Sequence, residues 1–175
     1  MERKKVISQI SEAESSPEAL EIRRAHVAQG HKMTKMKETL LHNLTIFKTF
    51  VDGSYTVSEE LEKKIDPKSV FLLDYFISWG NECAVCGGYF ERLLAELGIP
   101  DVEHFHLTDE QQDLVDFGQA LAQDPNHVPD EIYERLQARY DEETMVVLVT
   151  HAVYMLANNY FNNIVGVDPG ELIPQ

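Results

Sequence analysis

Helix-start signals recur along this chain and constrain its fold more than any other feature. A capping side chain precedes an early proline or an acidic first turn at several places, among them Ser16-Pro17-Glu18, Asp66-Pro67, Thr108-Asp109-Glu110-Gln111 and Asp141-Glu142. Such side-chain oxygens accept hydrogen bonds from the free N–H groups of a first helical turn. Apolar residues at three- and four-residue steps follow, and strand-like alternation is short and rare. The sequence therefore predicts one all-α domain of roughly seven helices.

Some helices are predicted from apolar spacing alone. One helix should carry Met36, Leu40, Leu44, Phe47 and Val51 on one face. We expect Gly53 to end it and a short separate helix to run from Ser58 to near Ile65. Residues 1–15 are polar enough for a frayed or partner-docked helix. The stretch 70–77 is apolar nearly all round, and so is the last helix, about Glu142–Val165, which we expect to be central or at a subunit interface.

Charge and composition narrow the class of protein. The chain has 175 residues, 15 Lys and Arg against 30 Asp and Glu, and a net charge of −15. Such a field repels polyanions, so no nucleic-acid partner is expected. The N-terminal residues lack the apolar core of a signal peptide, and no apolar run reaches the ~18 residues of a membrane span. We expect a cytoplasmic protein without a membrane partner.

The chain's two cysteines, Cys83 and Cys86, lie three residues apart where a predicted helix opens. Positions i and i+3 share a helix face, within reach of a disulfide. A helix N-terminus also favours a thiolate, although the Glu82 carboxylate opposes it. Three interpretations stay open: a redox dithiol, two small packed apolar residues, or a zinc site with His104 and His106. The zinc interpretation fits worst, because His-x-His is narrower than the usual histidine spacing.

The order of several segments resembles the carboxymuconolactone decarboxylase and alkylhydroperoxidase D-like proteins. The segments are the apolar helix, Cys83-Ala84-Val85-Cys86, the helix ending Leu97-Gly98-Ile99, the run from Leu107 through Ala120, and Asn158 to Val167. The resemblance predicts an N-terminal helical extension at 1–30, the family domain at 31–168 and a tail at 169–175. It also implies an all-helical fold intertwined between subunits, as a trimer or hexamer.

The resemblance implies a role for each cysteine. In the peroxidase branch, the second cysteine, here Cys86, attacks the peroxide, and the first, here Cys83, resolves the product to a disulfide. An external dithiol, such as a thioredoxin-like or lipoyl-bearing protein, then reduces that disulfide. No metal or other cofactor is implied. The chemistry is consistent, because a neighbouring thiol traps a sulfenic acid before it is oxidised further.

The family's proton relay is not present at its usual positions. The branch places a histidine four residues after the second cysteine, where this chain has Phe90, and many members have one at the position of Tyr89. It places a glutamate twelve residues before the first cysteine, where this chain has Phe71. Asp74 is the best replacement, because it lies one turn nearer Cys83 on the same face and interrupts an apolar run. Burial would raise its pKa towards that of a general base.

Two classes of function follow. The first is an oxidoreductase that reduces a hydroperoxide or disulfide through Cys83 and Cys86, with Asp74 in the proton relay. The second is an oligomeric binding or scaffold protein without redox catalysis. A lactone-decarboxylase activity is a weaker alternative, because it needs a cationic pocket for a dicarboxylate and only Arg92 lies near the pair. His151 interrupts the apolar stretch 146–156, and we expect it to be a satisfied core or interface residue.

Overall fold

In a computed structural model, residues 5–167 are described and form eight helices with no strand, which confirms the predicted all-α class. The helices are α1 (Pro17–Ala28), α2 (Lys35–Leu40), α3 (Leu44–Glu62), α4 (Pro67–Gly80), α5 (Ala84–Glu96), α6 (Asp109–Gln123), α7 (Asp130–Arg139) and α8 (Glu142–Val165). The predicted tail at 169–175 lies outside the described residues. None of these helices is both long and apolar enough to cross a membrane.

The predicted caps form where local sequence specifies them. Ser16, Asp66, Thr108 and Asp141 each accept a backbone N–H at the start of α1, α4, α6 and α8. Thr108 and Gln111 complete the predicted capping box. Gly166 ends α8 in the left-handed conformation at φ 74°. These ends fix where the long helices begin and stop, and so which faces they bury.

The region from Met36 to Ile65 differs from the prediction. The apolar pattern is split between α2 and α3, because Asn43 accepts a hydrogen bond from the Ile46 N–H and starts a new helix. Gly53 does not end a helix but lies inside α3. A Cβ at position 53 would lie 2.4 Å from the Tyr154 hydroxyl oxygen, so the missing side chain lets α8 approach closely. The short helix expected from Ser58 is the last part of α3.

The N-terminal segment is also not helical as far as it is described. Residues 5–15 contain a bend at Ile7 and a turn at residues 12–14. They lie along the body of the protein: the Val6 N–H donates to Val165, and the Ile10 N–H donates to Glu38. The residues that follow join an apolar cluster in which Ala19 of α1 packs with residues of α2 and α3.

Helix α4 occupies the centre, as its all-round apolar pattern predicts. It packs against α3, α5, α6 and α8, and Leu72, Leu73 and Ile77 have no exposed surface. Burying such side chains contributes roughly 1.5–3 kcal/mol each. A polar residue interrupts this apolar helix, because α4 also carries one buried carboxylate, Asp74, towards α8.

Candidate functional site

The cysteine pair lies at the junction of α4 and α5. After α4 ends, Glu82 adopts the left-handed conformation at φ 54°, and the Cys83 N–H donates to the Ser78 carbonyl oxygen at 2.9 Å. This tight turn makes Cys83 the N-cap of α5 and places Cys86 in its first turn. The predicted position at a helix N-terminus is therefore confirmed. Both residues are free thiols, Cys83 without exposed surface and Cys86 partly buried.

The two thiols have different pKa values, because they share one hydrogen bond. The Cys86 thiol donates a hydrogen bond to the Cys83 sulfur and lowers the pKa of Cys83 to about 7, against the opposing effect of burial. Backbone N–H groups of Cys86 and Val85 lower it further, as expected at a helix N-terminus. The same bond and burial raise the pKa of Cys86. The pair therefore titrates as one unit, in which Cys83 loses the first proton at a pKa of about 7 and Cys86 keeps the second.

A cavity of about 440 Å³ lies beside the pair, with a predominantly apolar lining. Its size falls within the roughly 300–1,000 Å³ of small-molecule sites. The lining comes from α2, α3, α4, α5 and α8, and Cys86 is part of it, whereas Cys83 is not. Phe71 and Tyr89 line it as well. A molecule in the cavity would therefore meet the Cys86 sulfur first.

Asp74 and His151 form a buried pair on the wall of this cavity. His151 Nε2 donates to Asp74 Oδ1 at 2.8 Å, and Ser58 Oγ lies 3.3 Å from His151 Nδ1. Burial alone would lower the pKa of His151, but the Asp74 carboxylate outweighs it and the net direction is upwards. Asp74 therefore has a histidine partner whose pKa it raises, instead of acting alone.

Asn162, on the last turns of α8, contacts the pair and also lines the cavity. Its Nδ2 donates to the Cys86 sulfur at 3.2 Å, and its contact lowers the pKa of both thiols. Its Oδ1 is buried without a hydrogen-bond partner among the described residues, and so is Oδ1 of Asn158, another residue of the cavity wall. A buried amide oxygen left unpaired costs free energy, so a ligand that donates a hydrogen bond to it would be stabilised here.

Other sequence candidates fall elsewhere. His104 and His106 do not line the cavity, and His104 pairs with Asp101 at the surface. Within residues 5–167, no three His, Cys, Asp or Glu side chains are grouped so that they could hold a metal ion. Gly87 serves helix packing, because a Cβ there would lie 2.7 Å from the Trp79 indole. Gly88 borders open space instead.

The pairing of His151 with Asp74 was not predicted from the sequence, although each residue carries a signal. His151 interrupts an apolar stretch of α8 as Asp74 interrupts one of α4, and two such lone polar residues satisfy each other when buried. Arg92, the arginine expected near the cysteine pair, does not line the cavity. Lys37 of α2 does, and no local pattern connected it with Cys86. A family-model scan and a search of curated proteins found no match to this chain.

Proposed function

We propose that this protein is a thiol-dependent peroxide reductase similar to the alkylhydroperoxidase D-like proteins. The observation that carries the proposal is the position of Cys86. It lines a small-molecule cavity together with the Asp74–His151 pair, while its partner Cys83 lies behind it at the N-terminus of α5. This arrangement favours a small oxidant over a protein disulfide, because Cys83 has no exposed surface.

The first step uses the proton that the cysteines share. Its transfer from Cys86 to Cys83 places the thiolate on the sulfur that faces the cavity. That thiolate attacks the terminal peroxide oxygen, an S–O bond forms, the O–O bond breaks, and the electron pair leaves with the alkoxide. His151, whose pKa the Asp74 carboxylate raises, supplies the proton that turns the alkoxide into an alcohol. Asp74 thus positions His151 and raises its pKa rather than serving as the general base.

The second step forms the disulfide and releases water. The Cys83 sulfur attacks the Cys86 sulfenic acid, an S–S bond forms, the S–O bond breaks, and hydroxide leaves with a proton. An external dithiol then returns two electrons and two protons. A small dithiol or a lipoyl arm suits the cavity better than a folded reductase does. A cytoplasmic, reducing setting would keep both residues as thiols between cycles.

The test is peroxide turnover with dihydrolipoamide as reductant. Wild-type protein should consume cumene hydroperoxide catalytically, and both Cys86→Ser and Cys83→Ser should stop turnover. Cys83→Ser should still consume one equivalent and retain a sulfenic acid that dimedone traps. Absence of turnover together with absence of a dimedone adduct would remove the proposal.

A second candidate is an oligomeric binding protein without redox chemistry. The observation in its favour is a row of exposed apolar side chains along α8, formed by Val146, Val149, Val153, Tyr160 and Ile164. Assembly through this face also fits the homo-oligomer that the resemblance implies. The two candidates separate in a Cys83→Ala/Cys86→Ala variant, which would keep its assembly under both but lose peroxide turnover only if the first is correct.

A further inference from the structure

A buried lysine on α2 faces the cavity that contains Cys86. Lys37 is only 7% exposed. Its ammonium group donates to the Lys32 carbonyl oxygen and to the Tyr55 hydroxyl oxygen, both at 2.7 Å. Both acceptors are neutral, and an ammonium group has three protons to donate. The two bonds orient the charge without neutralising it.

No carboxylate within residues 5–167 forms an ion pair with Lys37. Burial lowers the pKa of this lysine to about 8, and no anionic neighbour offsets that effect. A buried charge is costly unless it is paired, and buried lysines usually have an acidic partner. The missing partner is therefore a feature that a bound anion would explain.

The rest of the lining supplies no buried anion for Lys37. Asp74 is already paired with His151. Glu59 and Glu62 also line the cavity but are exposed to solvent. The buried charges of the lining thus consist of one satisfied pair and one unmatched cation.

Helix α3 connects the lysine with the proposed reaction centre. Tyr55 contacts Lys37, and Ser58, three residues further on, contacts His151. Three residues of helix advance about 4.5 Å, so one small molecule can reach both. The His31 ring stacks on Tyr55 with centroids 3.7 Å apart and holds the ring in place. The Tyr55 hydroxyl oxygen accepts a hydrogen bond from Lys37, so the hydroxyl proton remains available to donate to a ligand.

We propose that the cavity binds an organic monoanion, a carboxylate with a short apolar body, whose carboxylate group lies on Lys37 and Tyr55. One unmatched cation fits one negative charge, whereas a phosphate ester carries up to two. The apolar body would occupy the mainly apolar lining towards Cys86. If the protein is a peroxide reductase, the preferred oxidant is the hydroperoxide of such an acid, and this part of the proposal rests on the proposed function. The binding of the monoanion itself does not rest on it.

The test measures binding without redox chemistry. Octanoate, octanol and octyl phosphate are titrated calorimetrically into the full-length Cys83→Ser/Cys86→Ser variant at pH 7. We expect octanoate to bind at least tenfold more tightly than octanol or octyl phosphate. Adding Lys37→Met should weaken octanoate binding at least tenfold and leave octanol binding unchanged. Lys48→Met, which removes an exposed lysine of α3, is the matched control and should change neither.

Several results would overturn the proposal. They are equal affinity for octanoate and octanol, tighter binding of octyl phosphate, and octanoate binding that survives Lys37→Met. If circular dichroism shows that Lys37→Met does not fold, Tyr55→Phe replaces it, with octanoate binding expected to weaken roughly threefold or more and octanol binding unchanged. An unchanged octanoate affinity in Tyr55→Phe would then overturn the proposal. Since the variants carry no thiol, this result is independent of peroxide turnover, and either proposal can fail alone.

Discussion

His151 of α8 donates a hydrogen bond to Asp74 of α4 at 2.8 Å, although the two residues are 77 positions apart in the chain. Both side chains are almost completely buried. The pair couples the two most apolar helices of the protein at the wall of the cavity that Cys86 lines. It thereby places an imidazole with a raised pKa at the wall of this cavity.

The stability of this pair should depend on pH. The pKa of His151 is raised above its ordinary 6.5 in the folded protein. Its contribution to the free energy of unfolding is therefore complete below about pH 6.5 and is lost as pH rises through the folded pKa. Asp74→Asn should lower that free energy by about 1–3 kcal/mol at pH 6 and by less at pH 9. Urea denaturation at both pH values measures the difference.

Asp52→Asn is the matched control for this prediction, because Asp52 is an exposed carboxylate of α3. It should change the free energy of unfolding little at either pH. A loss in Asp74→Asn that is equal at pH 6 and pH 9 would contradict the raised pKa of His151.

Asn162 should lower the pKa of the cysteine thiols. Its Nδ2 donates to the Cys86 sulfur and lowers the pKa of both cysteines. Asn162→Leu should raise the first thiol pKa above about 7 and slow alkylation by iodoacetamide at pH 7 by roughly threefold to tenfold, which corresponds to half to one pKa unit. Absorbance at 240 nm against pH measures the thiolate directly.

Asn158→Leu provides the comparison for the thiol titration. Asn158 lines the same cavity but makes no hydrogen bond to either sulfur. The first thiol ionisation should be unchanged in this variant. If both leucine variants shift it equally, the effect comes from the polarity of the cavity and not from the Asn162 contact.

Gly53 and Tyr154 should be energetically coupled. A Cβ at position 53 would lie 2.4 Å from the Tyr154 hydroxyl oxygen. Gly53→Ala should therefore lower the free energy of unfolding by about 1–3 kcal/mol despite alanine's higher helix propensity. In a Tyr154→Phe background the loss should shrink by about 1 kcal/mol or more. A double-mutant cycle by urea denaturation tests this, and additive effects would contradict the contact.

The fold was predictable where short-range chemistry decides it. Ser16, Asp66, Thr108 and Asp141 cap helices through bonds to the next three residues, so a local pattern contains all the information. The role of Gly53 was not predictable, because the space it leaves is used by a residue of α8. Local propensity alone treats such a glycine as a stop.

The site was predictable to a similar extent. The position of Cys83 and Cys86 at the start of a helix follows from the sequence around them. The pairing of Asp74 with His151, and the approach of Lys37 to the same cavity, depend on how α2, α4 and α8 pack. Each residue shows only that a polar group lies in or near an apolar pattern. The partner that satisfies it is set by tertiary structure.

The exposed apolar row of α8 should be a subunit interface. Val146, Val153 and Ile164 are 66%, 55% and 71% exposed on one side of this helix. Wild-type protein should sediment as an oligomer, and Val153→Glu should shift it to the monomer with unchanged helical content. Gln137→Glu, an equal charge change at an exposed site of α7, should leave assembly intact. A monomeric wild type would contradict the interface.

The central claim is that Cys83 and Cys86 form a peroxide-driven dithiol couple. Its most direct test is mass spectrometry of the reduced protein after one equivalent of hydroperoxide at pH 7, with free thiols alkylated. The account predicts a Cys83–Cys86 disulfide in wild type, recognised by the loss of two protons, and a sulfenic acid on Cys86 in Cys83→Ser. Recovery of both residues as alkylated thiols would contradict it.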